Sequence, residues 1–250
     1  MPDSANVVEV FSSIQGEGLY VGYRQIFVRF FSCNIQCAYC DTPRSIDEVG
    51  ECRIEATAGK GDFYGVPNPL DAKALSGIIN SLERSAGLHH LISLTGGEPL
   101  LQCRFLKNWL PELSHNFKIY LETNGTLYKE LGDIIDYIDI ISMDIKLPGT
   151  AQIEPEWDRH RQFLSIAVQK ELFVKLVLSA QTSDIEFMRA VDMLSAEDDN
   201  IPLVLQPVSP YGTVEGKVDA GRLLDLHAMA CRHLKDVRVI PQSHKMMELL

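Results

Sequence analysis

Three thiols stand within eight residues at Cys33, Cys37 and Cys40, directly after the apolar run from Gln25 to Phe31. Three cysteines, rather than four, leave one iron of a [4Fe–4S] cluster without a protein ligand, and an iron with an open position can bind and activate a small molecule. Structural zinc is the first rival. It takes four protein ligands in paired spacing, and no fourth ligand follows here at finger spacing. Thiols that serve only packing are seldom gathered so tightly in one loop. The spacing favours a cluster over zinc and over packing.

The elements that must hold these thiols can be read on both sides of them. Gln25-Ile26-Phe27-Val28-Arg29-Phe30-Phe31 is a continuous β-rich run, as expected of a strand covered on both faces, and the cysteine loop sits at its C-terminal end. A strand-then-helix rhythm follows. His90–Leu94 ends in Thr95-Gly96-Gly97-Glu98-Pro99, Lys118–Leu121 in Glu122-Thr123-Asn124-Gly125, and Ile138–Met143 in Asp144-Ile145-Lys146. Leu172–Leu178 and Pro202–Gln206 complete six core strands, and Asp236–Ile240 is a last β run before a tail over 241–250. Polar groups gather where each strand stops, as a site at the C-terminal rim of a parallel barrel requires. The expected fold is α/β, a partial (β/α)6 barrel with N- and C-terminal additions in one domain over 1–250. A helix is expected from Asp71, its N-cap, to Ala86, with Leu75, Ile78, Ile79 and Leu82 on one face. Ser183-Asp184-Ile185-Glu186 has the capping-box pattern and opens a helix whose Ile185, Met188 and Val191 are expected to share a face. Asp47–Pro69, rich in glycine and proline, reads as an irregular insert that either caps a site or lengthens the surface.

Arg29 lies inside the first strand between apolar neighbours, and a buried guanidinium needs a partner, either an internal carboxylate or an anionic ligand. Taken alone, Gly96-Gly97 is an ordinary strand-to-helix turn, the charges at the other strand ends are a solvated rim, and Thr42 and His244 carry little signal.

Taken together, these motifs resemble a known family. Cys-x-x-x-Cys-x-x-Cys, with Tyr39 before the last cysteine, is similar to the signature of the radical S-adenosylmethionine (SAM) enzymes. Phe11-Ser12-Ser13-Ile14-Gln15-Gly16-Glu17-Gly18, Arg29, Cys40-Asp41-Thr42, Thr95–Pro99 and Pro241-Gln242-Ser243-His244-Lys245 resemble the 7-carboxy-7-deazaguanine synthases, over nearly the whole chain. The resemblance implies a [4Fe–4S] cluster on Cys33, Cys37 and Cys40, and SAM held by Tyr39, Gly96, Gly97, Glu98, Asp144, Lys146 and Gln206, with the Glu98 carboxylate on the methionyl ammonium. It implies Mg²⁺ on Thr42, and a pterin substrate held by Ile14, Gln15, Gly16, Glu17, Arg29, Thr95, Gln242, His244 and the α-carboxylate of Leu250. Glu122 and Asn124 are expected to reach the sugar or the substrate. No side chain is expected to do chemistry beyond the cofactor's own; Arg29 places the substrate carboxylate. The implied reaction takes hydrogen from C6 of 6-carboxy-5,6,7,8-tetrahydropterin through a 5′-deoxyadenosyl radical, contracts the ring with loss of ammonia, gives 7-carboxy-7-deazaguanine and regenerates SAM. An electron donor such as flavodoxin or ferredoxin and a homodimer are implied as well. Asp144-Ile145-Lys146 is also similar to the glycyl-radical-enzyme activating enzymes, so an activase stands as an alternative, and a zinc-holding interaction module as another.

Composition narrows the partners. Of 250 residues 23 are basic and 34 acidic, a net charge of −11, which argues against a nucleic-acid footprint. Six cysteines, of which Cys52, Cys103 and Cys231 are scattered, make no disulfide framework, and with no secretory pattern at Met1–Ser4 they point to a reducing cytoplasm. No apolar run reaches the roughly 18 residues a membrane span needs.

Overall fold

The computed structural model describes residues 4–40, 50–83, 87–209 and 216–249. In chain order the strands are β1 (Ser4–Ala5), β2 (Val7–Ile14), β3 (Arg24–Phe30), β4 (Glu51–Glu55), β5 (Phe63–Pro67), β6 (Leu70–Asp71), β7 (Leu91–Gly96), β8 (Ile119–Thr123), β9 (Ile140–Ile145), β10 (Glu171–Leu178), β11 (Leu203–Pro207) and β12 (Val237–Val239). The helices are α1 (Ala72–Leu82), α2 (Cys103–Leu113), α3 (Tyr128–Ile134), α4 (Pro148–Ala151), α5 (Trp157–Ala167), α6 (Asp184–Glu197), α7 (Ala220–Ala230) and α8 (Ser243–Met246).

Ten strands form one sheet in the order β12-β11-β10-β9-β8-β7-β3-β2-β4-β5. The run from β12 to β3 is parallel throughout; β2 pairs antiparallel with β3, and β5 antiparallel with β4. The six expected core strands are therefore β3 and β7 to β11, extended by β12 at one edge. The sheet is open, since its two end strands do not pair.

The period-2 alternation of these strands builds the site. On one face Ile26, Val28, Ile92, Leu94, Leu121, Ile141, Val174, Leu176 and Leu205 join the main core with α1, α2 and α6. On the other face Leu91, Tyr120, Ile140, Phe173 and Val204 form a separate apolar cluster. Two residues further along the same face of those strands stand Ser93, Glu122, Ser142, Lys175 and Gln206, and two further again Thr95 on β7 and Asp144 on β9. Each strand thus carries an apolar residue below and polar ones toward its C-terminal end.

Asp71 caps α1, accepting from the Ala74 amide at 2.7 Å, and Leu75, Ile79 and Leu82 are buried. The helix ends at Leu82; the expected extension toward Ala86 lies outside the described residues. The capping box at Ser183 and Glu186 is present. The buried face of α6 differs from the expected one: Ile185 is 84 % exposed, and Phe187, Ala190, Val191 and Leu194 carry the packing. Ile185 sits in the first turn, on the side of the helix opposite its buried residues. The insert is not irregular over its described part. β4 and β5 make a hairpin whose Cys52 and Ile54 point into the core and whose first strand pairs in parallel with β2. It lengthens the sheet edge; none of its described residues lines the cavity at the other end of the strands. No described helix is long and apolar enough to cross a membrane.

Candidate active site

The loop after β3 carries the thiols into a cavity that all three line. Its position depends on two glycines. A side chain on Gly96, which has φ +117°, would meet the Phe30 backbone at 2.3 Å, and one on Gly97 would lie 1.9 Å from the Ser32 carbonyl oxygen. The β7 turn therefore packs directly on the cysteine loop, sealed by the Gly97 amide on the Phe30 carbonyl (3.1 Å) and the Glu98 amide on that of Ser32 (2.8 Å). From the other side the Ala38 amide donates to the Ala151 carbonyl at 2.8 Å, tying the loop to α4. Burial pushes the Cys33 thiol up and the Cys37 thiol up to about 11, with Lys146 pulling both the other way. A metal ion at the sulfurs favours the thiolate form against that burial.

Glu98 departs from expectation. It is fully buried, does not line the cavity, and accepts from the Leu100 amide (3.2 Å), the Thr123 hydroxyl (2.9 Å) and the Asn124 amide (2.8 Å). Burial raises its carboxyl to about 7 against those hydrogen bonds. These bonds join the β7 and β8 turns. Asn124 lines the cavity, with its carboxamide oxygen bonded to Thr126 and one Nδ2 hydrogen to Asn34.

A run of charges crosses the cavity. Lys175 pairs with Glu17 and, at 3.1 Å, with Asp144; Lys146 pairs with the same Asp144 oxygen at 2.9 Å and lies 5.2 Å from the centre of the Tyr39 ring. Burial pulls both lysines down, and the carboxylates outweigh it, so both stay charged. Burial likewise raises Glu17, but Lys175 and hydrogen bonds override it and hold the carboxyl at about 2. Lys175 is not among the residues the sequence motifs single out. A signal exists all the same: a lysine inside Leu172–Leu178, in phase with Phe173 and Val177, poses the same question as Arg29.

The residues expected to face the substrate meet as a second network. Gln15 donates to Glu122 at 2.7 Å and accepts from the Glu17 amide at 3.0 Å; the Thr95 hydroxyl donates to the other Glu122 oxygen at 2.7 Å. The tail closes over this turn. Gln242 donates to Glu17 at 2.6 Å, and the Ser243 amide and hydroxyl donate to the Gly16 carbonyl at 2.9 and 3.1 Å. His244 presses on Gly16 so closely that a side chain there would lie 2.3 Å from Nδ1. Arg29 lines the cavity while its Nε donates to Glu9 at 2.9 Å, so the internal carboxylate exists and the guanidinium still reaches the site. Ile14 ends β2 and, like Gly16, is not part of the cavity wall. Thr42 and Leu250 lie outside the described residues.

The residues present fit a cluster and SAM. Three thiols face the cavity, and the buried Asp144 Oδ1, Gln206 Oε1 and Tyr39 hydroxyl, all on cavity-lining residues, have no hydrogen-bond partner among the described residues. A buried polar atom without a partner costs about 1–3 kcal/mol, so these atoms are spared only by a ligand or water.

Residues 28–150 match the Radical SAM superfamily. The chain is 44 % identical to a 7-carboxy-7-deazaguanine synthase of Geobacter sulfurreducens over 97 % of both chains, and 36 % identical to one of Methanothermobacter thermautotrophicus over 98 % of both. Its fold is that of QueE from Escherichia coli (TM-score 0.58, 19 % identity, covering 96 % of this chain and 95 % of that one). Cysteine loop, glycine turn and docked tail thus sit in a chain similar from end to end to one kind of enzyme: the protein belongs to the 7-carboxy-7-deazaguanine synthase family of radical SAM enzymes.

Proposed function

We propose that this enzyme converts 6-carboxy-5,6,7,8-tetrahydropterin to 7-carboxy-7-deazaguanine with loss of ammonia, a step toward 7-deazapurines. The observation that carries the reading is that the three thiols and the residues directed at the pterin (Gln15, Glu17, Arg29, Thr95, Gln242 and His244) line one cavity.

In this reading Cys33, Cys37 and Cys40 hold the [4Fe–4S] cluster. When bound, cluster and SAM supply a 5′-deoxyadenosyl radical, and everything else is placement. Asp144 Oδ1, Gln206 Oε1 and the Tyr39 hydroxyl take the polar groups of SAM, with Gly96 and Gly97 shaping the wall and Lys146 holding Asp144. Glu17, kept ionised by Lys175, accepts from the donor edge of the pterin. Gln15 retains one N–H and one lone pair beyond its internal bonds for the same edge. Arg29 forks onto the substrate carboxylate, a charge-assisted contact contributing about 1.5–3 kcal/mol. Thr42 holds Mg²⁺. A primary radical attacks almost any C–H bond, so C6 must be held within about 3–3.5 Å of it with water excluded. The tail lying on Gly16 and Glu17 supports that closure.

We further place the enzyme in the cytoplasm as a homodimer served by a flavodoxin- or ferredoxin-type reductant. Anaerobic, cluster-reconstituted protein given SAM, reductant, Mg²⁺ and the pterin is expected to release 7-carboxy-7-deazaguanine, detected by mass spectrometry, and to lose it on Cys37→Ala. Deoxyadenosine without that product would overturn the substrate assignment.

A further inference from the structure

One hydrogen-bond system beside the cysteine loop has no part in the roles above. Asn124, 5 % exposed, follows β8 and points its carboxamide at the loop. Its Oδ1 accepts twice, from the Thr126 hydroxyl at 2.6 Å and the Thr126 amide at 3.1 Å. That fixes the orientation of the carboxamide, because an NH₂ group in the same place would face the Thr126 amide, which can only donate. The Nδ2 end is therefore turned to the loop, where its two hydrogens meet Asn34 Oδ1 at 2.9 Å and Cys33 Sγ at 3.8 Å.

The backbone of Asn124 is held as firmly as its side chain. Its amide donates to Glu98 at 2.8 Å, and its carbonyl accepts from His160 Nε2 at 3.1 Å. Asn34 is in turn held by its own donation to the Thr126 hydroxyl at 2.8 Å. With Oδ1 and one Nδ2 hydrogen committed to Thr126 and Asn34, the second Nδ2 hydrogen is held toward the sulfur. An N–H aimed at a thiolate that ligates iron stabilises the electron-rich state more than the electron-poor one, and hydrogen bonds to the sulfurs are among the factors that set a cluster's potential.

We propose that Asn124 is a positioning residue of the redox centre: it donates a hydrogen bond to the Cys33 sulfur and thereby raises the reduction potential of the cluster. The proposal rests on the reading of Cys33 as a cluster ligand. The measurement is an EPR-monitored anaerobic redox titration of reconstituted protein, with iron and sulfide counted for each variant. Asn124→Leu removes the donor and is expected to shift the midpoint to a more negative value. Asn124→Asp replaces the donor by a negative charge and is expected to shift it further in the same direction. Thr126→Val removes the hydroxyl bond to Oδ1 but keeps the amide one, so the carboxamide is held less firmly; it is expected to shift the midpoint in the same direction but less than Asn124→Leu, and it also serves if the Asn124 variants fail to fold. A merely structural role would lower the iron content or the thermal midpoint of the apoprotein but leave the potential of the clusters that do form unchanged. An unshifted potential in Asn124→Leu and Thr126→Val therefore overturns the proposal. A wild-type protein that takes up no four-iron cluster would overturn the ligand reading instead.

Discussion

Lys175 sits between two carboxylates, Glu17 and Asp144, and is itself 8 % exposed. Removing it leaves the half-buried Glu17 without its cation and Asp144 with Lys146 alone, and the loss of one partner from a buried pair costs up to about 3–5 kcal/mol. Lys175→Met is expected to lower the unfolding free energy by that order, measured in urea. Glu17 gives a pH signature of the same pair. Its carboxyl is held at about 2, below the ordinary 4.5, so the stability it contributes is complete above 4.5 and is lost as pH falls from there toward 2. Each tenfold change in proton affinity between the folded and unfolded chain is worth ~1.4 kcal/mol, so the contribution is on the order of 3 kcal/mol. Glu17→Gln is expected to flatten that part of the acid-unfolding curve, and an unchanged slope would show that Lys175 does not hold the carboxyl. At the Gly97 turn, Gly97→Ala brings a methyl against the Ser32 carbonyl and is expected to cost at least about 1–3 kcal/mol, together with iron content after reconstitution.

The cysteine loop is held by a relay of elements that begins far from it. Glu186, 9 % exposed in the first turn of α6, accepts from the Ser183 amide on one oxygen and from the Gly149 amide of α4 on the other, both at 2.7 Å. The same α4 receives the Ala38 amide through Ala151. Glu186→Ala is therefore expected to slow iron uptake and lower retained iron, with Glu186→Gln in between, whereas Ser183→Ala should cost only about 1 kcal/mol of stability. Iron analysis beside a urea melt separates the two. Elements are also where the sequence is most and least legible. Strand ends stand out because an apolar run stops at a polar group, as at Thr95, Glu122 and Asp144. The β4–β5 hairpin does not, because Glu51, Arg53 and Tyr64 face solvent and only Cys52 and Ile54 mark the buried side. Glu98 is hard to read for a different reason: a carboxylate at a strand end has the same appearance in sequence whether it lines the cavity or, as here, is bonded to the neighbouring turn.

Across the whole molecule the two ends of the chain form one wall of the site. Gln242 reaches Glu17 across 225 positions of sequence, and Ser243 reaches Gly16. Removing residues 241–250 is expected to weaken pterin binding strongly while sparing the cluster, since the cysteine loop is held by β7 and α4; calorimetry with the pterin, beside an iron count, checks both halves. The net charge of −11 is consistent with a small-molecule substrate. The most direct test of the central claim is turnover of the pterin carrying deuterium at C6, with mass spectrometry of the SAM recovered. If the cavity holds C6 against the radical and SAM is regenerated, deuterium appears in that SAM as 7-carboxy-7-deazaguanine accumulates. Product formed with no deuterium in SAM or deoxyadenosine would contradict the account.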